Sequence, residues 1–185
     1  MRQFASSGFR IWNLSLEAKL IYTCFGLFTL LGLASSALFY EQLVGDGIGR
    51  YYSGAPAVSP MGTSANGPEI TLPGAAPISV AMTYGKLLEV SHFHLFTVPV
   101  ILLILTHLFM LTGARTKLFW ISAAWFSAFL HLAAPWLVRY GNGSFTALYA
   151  LSGAFLGITS LVLTVAPIWA MWFGSQAENR PPTAP

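Results

Sequence analysis

Residues Glu89 to Gly113 read EVSHFHLFTVPVILLILTHLFMLTG, and this stretch decides the fold. It holds more than the roughly 20 apolar residues that a helix needs to cross a hydrocarbon core about 30 Å thick. It also carries His92, His94 and His107, three of the four histidines in the chain. Ionisable side chains inside a span are costly and mark functional sites by default. The span therefore sets the environment as membrane and is the first place to look for chemistry.

The rest of the sequence agrees on the environment. Of 185 residues, 55% are hydrophobic and 8% are charged, where a soluble domain carries about 25% charged residues. The net charge of +3 rests on few groups and gives no nucleic-acid signal. Aromatics reach 15%, consistent with Trp and Tyr at membrane interfaces. Cys24 is the only cysteine, so neither a disulfide within the chain nor a CxxC metal or haem-attachment motif is encoded.

Working outward, three more spans are expected: about Leu20–Tyr40 before the central stretch, then Leu118–Val138 and Phe145–Phe173, with the central span itself at Val90–Thr112. The fold class is an all-α membrane protein, a four-transmembrane-helix bundle with one long outer loop. Residues 1–17 read as a cytoplasmic interfacial segment with Arg2 and Arg10 beside Phe4, Phe9, Ile11 and Trp12. They are read as retained, because the apolar run after them is too long for a signal peptide. Residues 18–175 form the transmembrane domain and 176–185 a cytoplasmic tail. The loop, 41–88, is rich in Gly, Pro, Ser and Ala. Tyr51-Tyr52 and Ile70-Thr71-Leu72 are its candidates for packing on the membrane or a partner, and Ile78–Leu88 reads as helix. Small residues at helical spacing, Gly26, Thr29, Gly32 and Ser36 in the first span and Gly153, Gly157, Ser160 and Thr164 in the fourth, predict close helix approach. Pro167 is a candidate kink. Arg2, Arg10, Lys19, Arg115, Lys117 and Arg180 fall on one side, against Arg50, Lys86 and Arg139 on the other. That places both termini in the cytoplasm and the loop outside; in a bacterium this is the inner membrane.

At about 100° per residue, Glu89, Phe96, Pro99, Leu103, Thr106, His107 and Met110 lie within about 60° of His92. Polar intramembrane residues face the bundle interior, so this face is expected to be buried. His94 points away from His92. His131, on the third span beside Ala124, Ser127, Ala128 and Pro135, shares the outer half of the bilayer with both. Three readings stay open. In the first, His92 or His94 pairs with His131 as axial ligands of b-type haem, with His107 as a further cofactor-binding candidate that lacks a histidine opposite it. In the second, Glu89, His92 and His94 hold copper, zinc or iron at the outer face. In the third, the imidazoles only bridge helices. No GxSxG, P-loop or HExxH occurs, and Asp46 and Glu69 have no paired carboxylate, so the chain reads as no enzyme by itself. Channel and transporter patterns, a charged pore ring or an internal repeat, are missing as well.

Lys86–Thr112 resembles a motif of poorly characterised small bacterial inner-membrane proteins. In them a Tyr-Tyr-containing outer segment precedes an LLE-x-(T/S)HFHLF helix that ends in HLF. Tyr51-Tyr52, Leu87-Leu88-Glu89, Ser91-His92-Phe93-His94 and His107-Leu108-Phe109 carry the resemblance, over about a seventh of the chain. It implies Glu89, His92, His94 and His107 as one unit, and similarity to subunits found alongside c-type cytochromes. The expected function is an electron-transfer-associated membrane subunit in a larger bioenergetic complex, with membrane lipids, other membrane subunits and cytochromes as partners. The alternative is a scaffold or accessory subunit.

Overall fold

The computed structural model describes residues 9–44, 47–54, 80–142 and 144–174. Four helices in it are long and apolar enough to cross a membrane. They are α1 (Leu16–Phe39), α3 (Tyr84–Met110), α4 (Lys117–Tyr140) and α5 (Phe145–Phe173); a short α2 (Ile48–Ser53) lies in the loop. The protein is a multi-pass, all-helical integral membrane protein. Its expected spans are in place, with boundaries moved by a few residues. Ser15 caps the first helix by accepting from the Ala18 amide, which starts it ahead of the apolar run. The third extends at both ends to Lys117 and Tyr140, and the fourth runs over Phe145–Phe173 as expected. A π-helical turn, Tyr40–Val44, finishes the first.

The hub is α5, which α1, α2, α3, α4 and the 3-10 turn Ile11–Asn13 all touch. Its most extensive partner among the described elements is α4, which precedes it in the chain and ends at Tyr140, five residues before Phe145 opens α5. Between them and α3, Leu102, Leu105, Phe109, Ala124, Ala128 and Leu163 form the main core. Ala124, Ser127 and Ala128 are buried there, so the room their small side chains leave is taken up by close helix approach. At the other extreme, Gly26 is the only buried residue of α1. A Cβ there would lie 2.5 Å from Ile168 Cδ1, so α1 approaches α5 through the missing side chain. Gly32 and Ser36, from the same expected stripe, are exposed, and nothing meets a Cβ built on Gly32. The close contact of α1 is confined to its first half.

Two clasps close the ends. At the N-terminal end, Ile11 is fully buried with Leu108 and Met171, and its amide donates to the Leu111 carbonyl at 3.2 Å. The described part of the interfacial segment thus folds onto the bundle. At the loop end, α2 lies on α4 and α5, with Val44, Ile48, Tyr52, Leu87 and Val138 buried together. Met82 N donates to Tyr52 O, Ser53 Oγ to Val138 O, and Arg139 Nε to Met82 O. Tyr52, expected on the membrane surface or a partner, packs on the bundle instead. The helix leading into the second span begins at Tyr84, where Thr83 caps it by accepting from the Lys86 amide; Val80–Thr83 are not helical. The Ile70-Thr71-Leu72 segment and the 176–185 tail lie outside the described residues.

A candidate functional site on the third helix

The sequence placed the His92 side of α3 inside the bundle, and the structure places it outside. Leu87, Leu102, Leu105, Thr106, Leu108 and Phe109 are the buried residues of this helix. Glu89, His92, Phe96, Leu103, His107 and Met110 are exposed; of the expected interior face only Thr106 is buried, with Pro99 half-buried. The physical reason is packing. The core between α3, α4 and α5 is built from small and branched side chains, which take the leucine and phenylalanine knobs of α3. Thr106 fits inside because its hydroxyl donates to the Leu102 carbonyl of its own helix at 2.6 Å.

The exposed face is polar in its outer half. Lys86 Nζ pairs with Glu89 Oε2 at 3.1 Å one turn away, and both side chains are more than half exposed. His92 stands edge-on to the Phe96 ring, with centroids 5.0 Å apart. It has no hydrogen-bond partner among the described residues. With the expected span over residues 90–112 centred at residue 101, His92 and His94 sit roughly 14 and 11 Å from the midplane on the outer side, Glu89 roughly 18 Å, and His107 roughly 9 Å on the inner side. Glu89 and His92 are then close to the outer interface, where imidazole and carboxylate heads find water or a polar partner. Several other exposed hydroxyls on the spans are satisfied by their own helices: Ser35 and Ser36 donate to Gly32 O, and Thr97 to Phe93 O.

His94 lies on the other side of the helix. Its Nδ1 is 2.8 Å from Val90 O, and a carbonyl only accepts, so Nδ1 carries the proton and Nε2 keeps its lone pair. His131 is turned onto α5. Its Nδ1 is 3.2 Å from Ser152 Oγ, whose own proton goes to Tyr149 O at 3.1 Å, so this ring too holds its proton on Nδ1. The His131 ring tilts against Tyr149, with centroids 4.7 Å apart, and Tyr52 donates to the Tyr149 hydroxyl at 3.2 Å. Burial first, and Tyr149 beside it second, push the Tyr52 phenol above its ordinary range, so it remains a neutral donor. Gly153 makes room for the His131 ring: a Cβ there would sit 2.8 Å from its Cε1.

These placements sort the expected site residues. His92 and His94 diverge, Glu89 is ion-paired with Lys86, and among the described residues no three His, Cys, Asp or Glu side chains form a metal-holding group. His92 and His131 do not face each other. Between α3 and α4, Trp136 Nε1 donates to Ser91 Oγ at 2.8 Å and ties the two helices directly. Ser91, Trp136, Tyr149 and Ser152 were not among the expected residues. Tyr149, Ser152 and Gly153 do fall at one helical spacing on α5, which is the signal that could have paired them with His131.

Residues 42–179 match a family model described as a transmembrane helical domain. No curated protein and no solved structure matches the chain.

Proposed function

The chain belongs to the family of that transmembrane helical domain, and from this premise we propose that it is an assembly subunit of a larger membrane complex, docked sideways through α3. One observation carries the reading. His92, near the outer end of an apolar span, points away from its own bundle with no hydrogen-bond partner among the described residues, and Glu89 lies one turn away on the same face. Lipid tails offer an imidazole nothing, whereas a neighbouring helix offers donors and acceptors. The exposed aromatic and aliphatic neighbours Phe96, Val100 and Leu103 supply the apolar part of such a contact. On this reading the protein acts by holding other membrane components in place, with its termini in the cytoplasm and the loop end outside. The test is the size of the species extracted in mild detergent. The wild type is expected in a complex larger than one chain, and Glu89→Leu combined with His92→Leu is expected to release a folded single chain.

A second reading, electron transfer through b-type haem, is favoured by one observation. His94 and His131 each keep an Nε2 lone pair, with Nδ1 held by a carbonyl or hydroxyl, as imidazoles that ligate metal are held. Trp136 bonds to Ser91 between α4 and α3 and His94 is exposed, so a porphyrin would reach His94 from the outer surface of α3. This reading predicts a reduced-minus-oxidised haem band, from membranes grown with haem available, that is lost in both His94→Ala and His131→Ala. A band that survives both substitutions, or no band, overturns it.

A further inference from the structure

The docking reading leaves the occupant open, and the outward face of α3 has a property that selects one. Copies of one chain insert in the same orientation, so a two-fold axis along the membrane normal sets equal depths of α3 against each other. The face carries both halves of an acid–base pair: Glu89, whose Oε2 pairs with Lys86 of its own chain, accepts through its other oxygen, and His92, with neither ring nitrogen engaged among the described residues, donates. Parallel helices pack with axes about 8–10 Å apart, and Glu89 and His92 lie one turn apart, so each carboxylate can reach the imidazole opposite. Below them Phe96, Leu103 and Met110 continue the same stripe and are exposed. The other spans leave the stripe uncovered, because α4 and α5 pack on the opposite side of α3 and α1 packs chiefly along α5.

We propose that two copies of this chain pair in the membrane through α3, with Glu89 of each copy bonded to His92 of the other. The proposal rests on the docking reading above and names its partner. A different membrane protein would have to present a donor and an acceptor at these two depths; a second copy presents them by symmetry.

Cys24 lies on α1 and is exposed, so Cys24→Ser gives a clean background for engineered cysteines. In native membranes, oxidation of Phe96→Cys and of Leu103→Cys should give a disulfide-linked dimer. Ile101→Cys, more than a third exposed but on another side of the helix, should stay at background. Adding Glu89→Leu and His92→Leu should lower the dimer at position 103 to background. Because these side chains are exposed, the variants retain the fold, checked by circular dichroism. No dimer at either position overturns the pairing. A photo-reactive residue at position 96 separates the two failures. Adducts to a different protein, without disulfide dimers, overturn the second copy and leave the docking reading standing. Adducts to lipid alone overturn both.

Discussion

Gly153→Leu is expected to lower the stability of the bundle by about 2–3 kcal/mol, whereas Gly157→Ala, one turn on, should be neutral or slightly stabilising. The two glycines form one GxxxG in the sequence and have opposite surroundings in the fold. At Gly153 a Cβ would meet the His131 ring at 2.8 Å, and the longer leucine would push the ring off Ser152 and Tyr149. That site lies in the α4–α5 interface, the most extensive in the molecule, so relaxation there shifts two spans at once. At Gly157 no atom of the described residues outside its own turn of helix lies within 4 Å of a Cβ, and a helical glycine costs about 1 kcal/mol relative to alanine. Thermal unfolding in detergent, followed by helical circular dichroism, separates the pair. Equal effects at both positions would mean that the GxxxG acts as a single packing face and that His131 is not seated on Gly153.

The second large effect belongs to α3. Leu105→Ala should destabilise by about 2 kcal/mol, and Leu103→Ala by much less. Leu105 is 1% exposed and packs with Leu102, Phe109, Ala124 and Leu163, whereas Leu103 is 62% exposed. In a bilayer the transfer part of the usual leucine-to-alanine penalty falls away, because lipid is as apolar as the core. What remains is the lost packing around the cavity, which Leu103 does not have. Unfolding of the two variants in detergent measures the difference. The reverse order would restore the orientation expected from the sequence, with the His92 face inside.

That orientation is where the reading of the residues stopped. The four spans were legible because length and hydropathy alone fix them in a bilayer. Gly26 and Gly153 were legible as close-approach sites, since only a missing side chain admits a neighbour that near. The face of α3 was not. The rule that buried polar groups turn inward presumes that the chain is the whole membrane body, and His92 can also be satisfied by something beyond it. In a span whose leucines and phenylalanines occur all round, the apolar pattern does not choose a side either. What chose it was the shape of α4 and α5, which no local stretch of α3 encodes. The tie from His131 to Ser152 and Tyr149 was hidden for a similar reason: it joins residues 21 and 18 positions apart across a turn, with Gly153 as its only conspicuous mark.

The outward polar face of α3 is the feature on which the function turns. Its most direct test is the mass of the protein–detergent particle after mild extraction, with detergent subtracted, for the wild type and for the Glu89→Leu, His92→Leu double variant. The account predicts a wild-type particle larger than one 20.0 kDa chain, and a double variant of one chain with unchanged helix content. A wild-type particle of a single chain, or a double variant that stays in the same complex, would contradict it.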